Sequence, residues 1–203
     1  ASFFIVLIIY IGAAAAGLLV YDLFSGMHII LSTLLADIAA TIVVWLCGIF
    51  FSNSSVYDPY WSVAPIFILV CWLFALDISI CPLYILFAVV IFTWGIRLTI
   101  NWALRWEGMD DQDWRYTMFK ERSPGMWFLT NLFGINLMPT IIVFIALIPV
   151  YFALEESSRP VYFAIPGFLV CAAAVAVQAV SDRQMDLFRS DPSKKGKLID
   201  CGL

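Results

Sequence analysis

The chain has 203 residues, of which 63% are hydrophobic and 13% charged, and its mean hydropathy is +0.96. Soluble domains run at about 45–50% apolar and about 25% charged, so lipid must solvate most of this sequence, which excludes a soluble fold, disorder, a collagen-like repeat and a disulfide-stapled secreted module. The net charge of −4 leaves no basic field to hold nucleic acid.

The sequence opens at Ala1, with neither a methionine nor a basic leader, so its first apolar run does not read as a signal peptide and the native amino terminus is expected upstream. Six apolar stretches follow, at 3–21, 29–51, 61–76, 78–96, 137–154 and 161–180. Most reach the ~20 residues that cross a bilayer core of about 30 Å, and continuous runs of this kind span lipid as helices. The expected fold is an all-α, polytopic transmembrane bundle of about six spans in a single domain, 1–203.

Within the first run, Gly12-Ala13-Ala14-Ala15-Ala16-Gly17 is a surface for close helix packing. The second carries Asp37 mid-span, expected to hydrogen-bond to Ser32, Thr33 or Thr41. The third is short and draws on its flanking aromatics. The long insertion 102–136 reads as a helical continuation of the fourth span, then an amphipathic surface segment.

Arg105, Arg115, Lys120, Arg122, Arg183, Arg189, Lys194, Lys195 and Lys197 fall in loops on the side of the amino terminus, whereas the opposite loops hold only Arg159. That bias predicts cytoplasmic termini. The protein is expected to be an integral, multi-pass component of the endoplasmic reticulum, another organelle membrane or a bacterial inner membrane. His28 is the only histidine and no C-x-x-C pair occurs, so histidine-box di-iron, paired-histidine haem and zinc-ribbon chemistry are excluded. Asp110-Asp111-Gln112-Asp113 lacks the second acidic motif a Mg²⁺–diphosphate site needs and reads as solvated surface. No metal site is expected.

Three constellations could carry chemistry. Trp94, Arg97, Asn101 and Arg105 are spaced 3, 4 and 4, one helical face that is either a snorkelling belt or a cationic site for an anion such as a nucleotide phosphate. Gln178, Asp182, Asp186 and Arg189, spaced 4, 4 and 3, form a second face, either a charge ladder or a frame for a polar ligand. The loop Tyr57-Asp58-Pro59-Tyr60-Trp61-Ser62 puts a carboxyl group at the lip of the apolar region, where its protonated form could donate a hydrogen bond. Ser193-Lys194-Lys195-Gly196-Lys197 is a juxtamembrane basic cluster suited to anionic lipid.

Ser55-Val56-Tyr57-Asp58-Pro59-Tyr60-Trp61-Ser62-Val63-Ala64-Pro65, Trp94-Gly95-Ile96-Arg97-Leu98, Asp113-Trp114-Arg115-Tyr116 and the ending Phe188-Arg189 with Lys195-Gly196-Lys197 and Gly202-Leu203 resemble the steroid 5α-reductase-like membrane superfamily, specifically the uncharacterised branch that shares the reductase C-terminal domain. The likeness runs from about Asn53 to Leu203. It implies an NADPH-dependent reductase of a carbon–carbon double bond conjugated to a carbonyl, in a lipophilic sterol- or isoprenoid-like substrate met in the bilayer. By the same resemblance Asp58, seven residues before Pro65, stands where the reductases have a catalytic Glu, and Trp94 stands where they have a substrate-polarising Tyr. Tyr57 or Tyr60 would assist Asp58. Arg97, Asn101, Arg105, Gln178, Asp182 and Arg189 would hold NADPH. In the family an Arg-His-Pro-type segment contributing to the nucleotide site begins where this chain stops, so the bundle is expected to continue past Leu203. The alternatives are a non-catalytic helical subunit or scaffold among other membrane subunits, and a lipid methyltransferase with a similar ending.

Overall fold

A computed structural model describes residues 1–77, 81–155, 161–200 and 202. Arg159, Cys201 and the expected start of the fourth span at Ile78 lie outside the described residues. The chain runs α1 (Ser2–Leu23), α2 (Ile29–Phe50), α3 (Tyr60–Ala75), α4 (Pro82–Arg105), α5 (Trp114–Arg122), α6 (Trp127–Leu129), α7 (Met138–Glu155) and α8 (Ile165–Ser190). The described residues contain six helical segments long and apolar enough to cross a membrane, as the apolar runs predict.

Local chemistry sets the helix ends. His28 caps α2 by accepting the Ile30 N–H on Nδ1 at 3.3 Å. Pro82 opens α4, where its missing N–H costs nothing. Asp113 caps α5 by accepting the Arg115 N–H at 2.8 Å. The small-residue surface of α1 packs on α2 as expected: Ala13 and Gly17 are buried, and a Cβ on Gly17 would lie 3.2 Å from the Ala36 carbonyl oxygen. Helices α3 and α4 close on each other at Gly95, where a Cβ would collide with the Ser62 carbonyl oxygen and lie 2.8 Å from Ile66 Cδ1. One turn further along, Ser62 Oγ and Thr99 Oγ1 share a hydrogen bond at 2.9 Å.

Three boundaries differ from those the hydropathy predicts. The fourth and sixth spans extend to Arg105 and Ser190, because the polar residues beyond Ile96 and Val180 pair between α4 and α8. The fifth span begins at Pro124 and not near 137. Its first part widens into a π-helical stretch, Thr130–Leu137. A π turn brings residues five apart onto one face, so Asn136 Nδ2 reaches Asn131 Oδ1 at 2.8 Å, while Asn131 Nδ2 donates to Ser54 Oγ at 2.9 Å. Asparagines that read as loop are therefore buried inside the bundle and paired through their amide N–H groups, with Asn136 Oδ1 left without a partner. The rest of 102–136 behaves as expected, with α4 continuing to Arg105 and α5 forming an exposed helix bearing Trp114.

Contacts between distant segments gather at one end of the bundle. Met109 N–H donates to Ser2 Oγ at 3.3 Å, Asn53 Nδ2 donates to the carbonyls of Met109 and Asp111, and Phe3 lies edge-on to Trp102 and Trp106. The start of α1, the α2–α3 connection and the segment after α4 thus share one end, the grouping the basic residues predict.

Candidate functional site

The two polar ladders face each other. Arg97 Nη1 lies 2.6 Å from Asp182 Oδ2, Asn101 Nδ2 donates to that same oxygen at 3.3 Å, and Arg105 Nη2 lies 2.6 Å from Asp186 Oδ1. The repulsion between Asp182 and Asp186 along α8 is offset by the two arginines of α4, so each ladder answers the other's charge. The inner pair is the more shielded, with side-chain exposures of 18% for Arg97 and 31% for Asp182. Arg97 nonetheless keeps Nε and Nη2 buried without a hydrogen-bond partner. A guanidinium carries five donors and no acceptor, and buried donors left unmet cost about 1–3 kcal/mol each, so this edge is a place where a further acceptor would be favoured.

One turn deeper on the same two helices, Trp94 and Gln178 line an apolar cavity of about 870 Å³ between α3, α4, α7 and α8. Pro65 and Pro149, both inside helices, also line it. Each removes a backbone N–H from its helix. The volume falls in the roughly 300–1,000 Å³ range of small-molecule sites. Arg189 is exposed in the last turn of α8 and makes no ion pair among the described residues.

Asp58 occupies a separate place. Pro59 and the short 3-10 turn Ser54–Tyr57 lead it into α3, and its Oδ1 accepts from the Tyr116 hydroxyl at 2.5 Å. Burial, and secondarily the charge of Asp58, hold the Tyr116 hydroxyl above its ordinary range, so it stays a donor. Asp113 N–H donates to Ser55 Oγ, Ser54 N–H to Gln112 Oε1, and Arg115 grips Asp113 at 2.7 Å, which holds the Asp113 carboxyl below its usual value. The acidic run 110–113 is thus a docked turn that seats Tyr116 on Asp58; no cluster of metal-ligating side chains occurs among the described residues.

The structure brings Arg97 and Asn101 together with Asp182, Arg105 together with Asp186, and Trp94 and Gln178 into the wall of one cavity. Asp58 and Tyr57 are not among the residues lining the Trp94 cavity. The link between them is Trp61, one turn after Asp58, whose ring lies 5.9 Å from that of Trp94. Tyr57 is 2% exposed and its hydroxyl pairs with Thr140 Oγ1 at 2.7 Å, in a buried network that continues to Thr41 Oγ1. Asp37 does not bond to Ser32, Thr33 or Thr41; its Oδ1 accepts from the Tyr60 hydroxyl at 2.7 Å, because Ser32 donates to the Phe24 carbonyl at the end of α1, Thr33 donates to the Ile29 carbonyl and Thr41 turns to Thr140. Asn53, Asn131, Asn136 and Thr140 were not legible as site residues. Their only signal is polarity next to apolar runs.

These features define a polytopic helical membrane protein with a polar inter-helix clamp above an apolar cavity. Residues 44–203 match the family described as "Protein of unknown function (DUF1295)", and the chain belongs to that family. No curated protein and no solved structure matches the chain.

Proposed function

We propose that the protein is an NADPH-dependent membrane reductase that saturates a carbon–carbon double bond conjugated to a carbonyl in a lipophilic, sterol- or isoprenoid-like molecule. The observation that carries the reading is the cavity walled by Trp94 and Gln178, with the unmet guanidinium edge of Arg97 one turn beyond it. The resemblance to the steroid 5α-reductase-like superfamily supports the same assignment. Bound NADPH would supply a hydride to the β-carbon of such an enone, and a proton from solvent would complete the saturated ketone at the α-carbon.

Arg97, with unspent buried N–H groups, fits an anionic group, and Arg105, Arg189, Asn101 and Gln178 extend a set of donors along the same faces. Asp182 holds Arg97 and Asn101 in register through one oxygen. Trp94 offers an indole N–H to a carbonyl oxygen on which negative charge grows, and the apolar walls exclude water that would weaken that interaction. The resemblance assigns Asp58 the second hydrogen-bond donor, with Tyr116 as its positioning partner and Trp61 between it and the Trp94 cavity it would have to serve. The excess of basic residues at this end supports a cytoplasmic location for it.

The test is turnover in phospholipid nanodiscs with NADPH deuterated at its transferable position and a long-chain enone. The expected product is the saturated ketone with one deuterium at the β-carbon, and Asp58→Ala is expected to cut turnover at least about a hundredfold while NADPH still binds. Full turnover in Asp58→Ala would remove that residue's role. No deuterium transfer by the native protein to any enone would remove the activity. A second reading, a non-catalytic helical subunit, rests on the mutual neutralisation of Arg97 and Arg105 by Asp182 and Asp186. It predicts no response to NADPH.

A further inference from the structure

A second cavity, of about 560 Å³, lies on the opposite side of α3, between α1, α2 and α3, and shares no lining residue with the first. Its rim residues Ile11, Leu18, Phe67 and Phe74 are exposed within membrane-spanning helices, so the mouth opens sideways into lipid. Nearly all of the wall is apolar. Five hydroxyl- or carboxyl-bearing side chains line it, Tyr10, Tyr21, Thr33, Asp37 and Tyr60, together with the Cys71 thiol.

Tyr10, Thr33 and Tyr60 have already spent their donors. Tyr10 donates to the Val56 carbonyl at 2.9 Å, Thr33 donates to the Ile29 carbonyl at 2.7 Å and accepts from Trp72 Nε1 at 3.0 Å, and Tyr60 donates to Asp37 Oδ1 at 2.7 Å. Asp37 is 7% exposed, and its second oxygen has no hydrogen-bond partner among the described residues. A carboxyl group in the hydrocarbon region is costly and is expected to face a partner. Asp37 is therefore the one carboxyl group lining the cavity, with an oxygen still open to a donor, and the half-buried Tyr21 hydroxyl is a second polar group with no hydrogen-bond partner among the described residues, on a wall otherwise built for hydrocarbon.

We infer that this cavity is a lipid-binding site for a membrane-dissolved alcohol, with the apolar body between α1 and α3 and the hydroxyl hydrogen-bonded to Asp37. A hydroxyl both donates and accepts, which an ester or ether oxygen cannot do. Entry from the bilayer needs no opening at the polar end of the bundle. The proposed reductase site is built without Tyr10, Thr33 and Asp37, and Tyr60, offered above as an alternative helper of Asp58, is here committed to Asp37.

The experiment uses the full chain in phosphatidylcholine nanodiscs and two photoreactive probes: a long-chain primary alcohol carrying a diazirine and an alkyne, and its methyl ether. Crosslinked peptides are mapped by mass spectrometry. The alcohol is expected to label peptides covering 10–21 and 60–75, and the ether to label them about tenfold less, the loss of one hydrogen bond to a charged or strongly polar group. Asp37→Leu is expected to reduce alcohol labelling to the level of the ether, whereas Asp37→Asn retains more. Equal labelling by alcohol and ether, or labelling spread over the outward faces of α7 and α8, would overturn the inference. Should Asp37→Leu fail to fold, the alcohol–ether comparison on the native protein decides alone.

Discussion

Arg97 commits one edge of its guanidinium to Asp182 and leaves Nε and Nη2 buried without a partner. Removing one member of a shielded pair strands the other, so Arg97→Ala and Asp182→Ala are each expected to cost on the order of 2 kcal/mol, below the 3–5 kcal/mol of a fully buried pair because both side chains keep some solvent contact. The two losses should be far from additive in a double-mutant cycle read by thermal unfolding. Arg105→Ala, at a pair 37% and 49% exposed, should shift stability by less than about 1 kcal/mol. The polarity of each ladder was legible from its 3–4 spacing. That they face each other was not, because spacing fixes a face on one helix and says nothing about which helix lies opposite.

Helices α3 and α4 are locked by the absence of a side chain at Gly95. Gly95→Ala puts a methyl group against the Ser62 carbonyl and the Ile66 side chain, and overpacking of this kind costs about 1–3 kcal/mol. A lower unfolding temperature and loss of the Ser62–Thr99 hydrogen bond are the expected results, even though the substitution raises helix propensity. In α5, Asp113 is both cap and partner to Arg115, and its carboxyl titrates below its unfolded value. A depressed folded-state value means the stabilisation is complete above the unfolded carboxyl range and is lost as pH falls through the lower, folded value. Amide protection factors in 113–122, corrected for the intrinsic pH dependence of exchange, should therefore be constant from about pH 5 to 8 and should fall below about pH 4. Asp113→Ala should cost about 1 kcal/mol through the lost cap and abolish that dependence. At this scale the six long helices were legible because lipid-crossing runs are long and uniform. The π-helical entry to α7 was not: Asn131 and Asn136 sit off one another's face in an α-helix, and their burial depends on Ser54, far away in sequence.

Across the whole molecule, α3 separates two apolar cavities, one reaching the Trp94–Gln178 level beneath the ion-pair clamp and one opening to lipid beside Asp37. No run of sequence announces either cavity, since each is lined by residues from three or four helices that hydropathy alone cannot distinguish from lipid-facing ones. Sidedness is directly testable: cysteines introduced at Glu121 and Lys195 should be modified by a membrane-impermeant thiol reagent from one face of sealed vesicles, the cytoplasmic one, and a cysteine at Gly26 from the other. The clamp and the cavity beneath it are proposed to serve NADPH-dependent chemistry. Thermal unfolding of the purified chain in nanodiscs across an NADPH titration tests it most directly, because a ligand that binds only the folded state stabilises it by about 2.7 kcal/mol at one hundred times its dissociation constant. The account predicts a saturable rise in unfolding temperature for the native protein that is largely lost in Arg97→Ala. An unfolding temperature that does not move at millimolar NADPH, in protein that unfolds cooperatively, would contradict it.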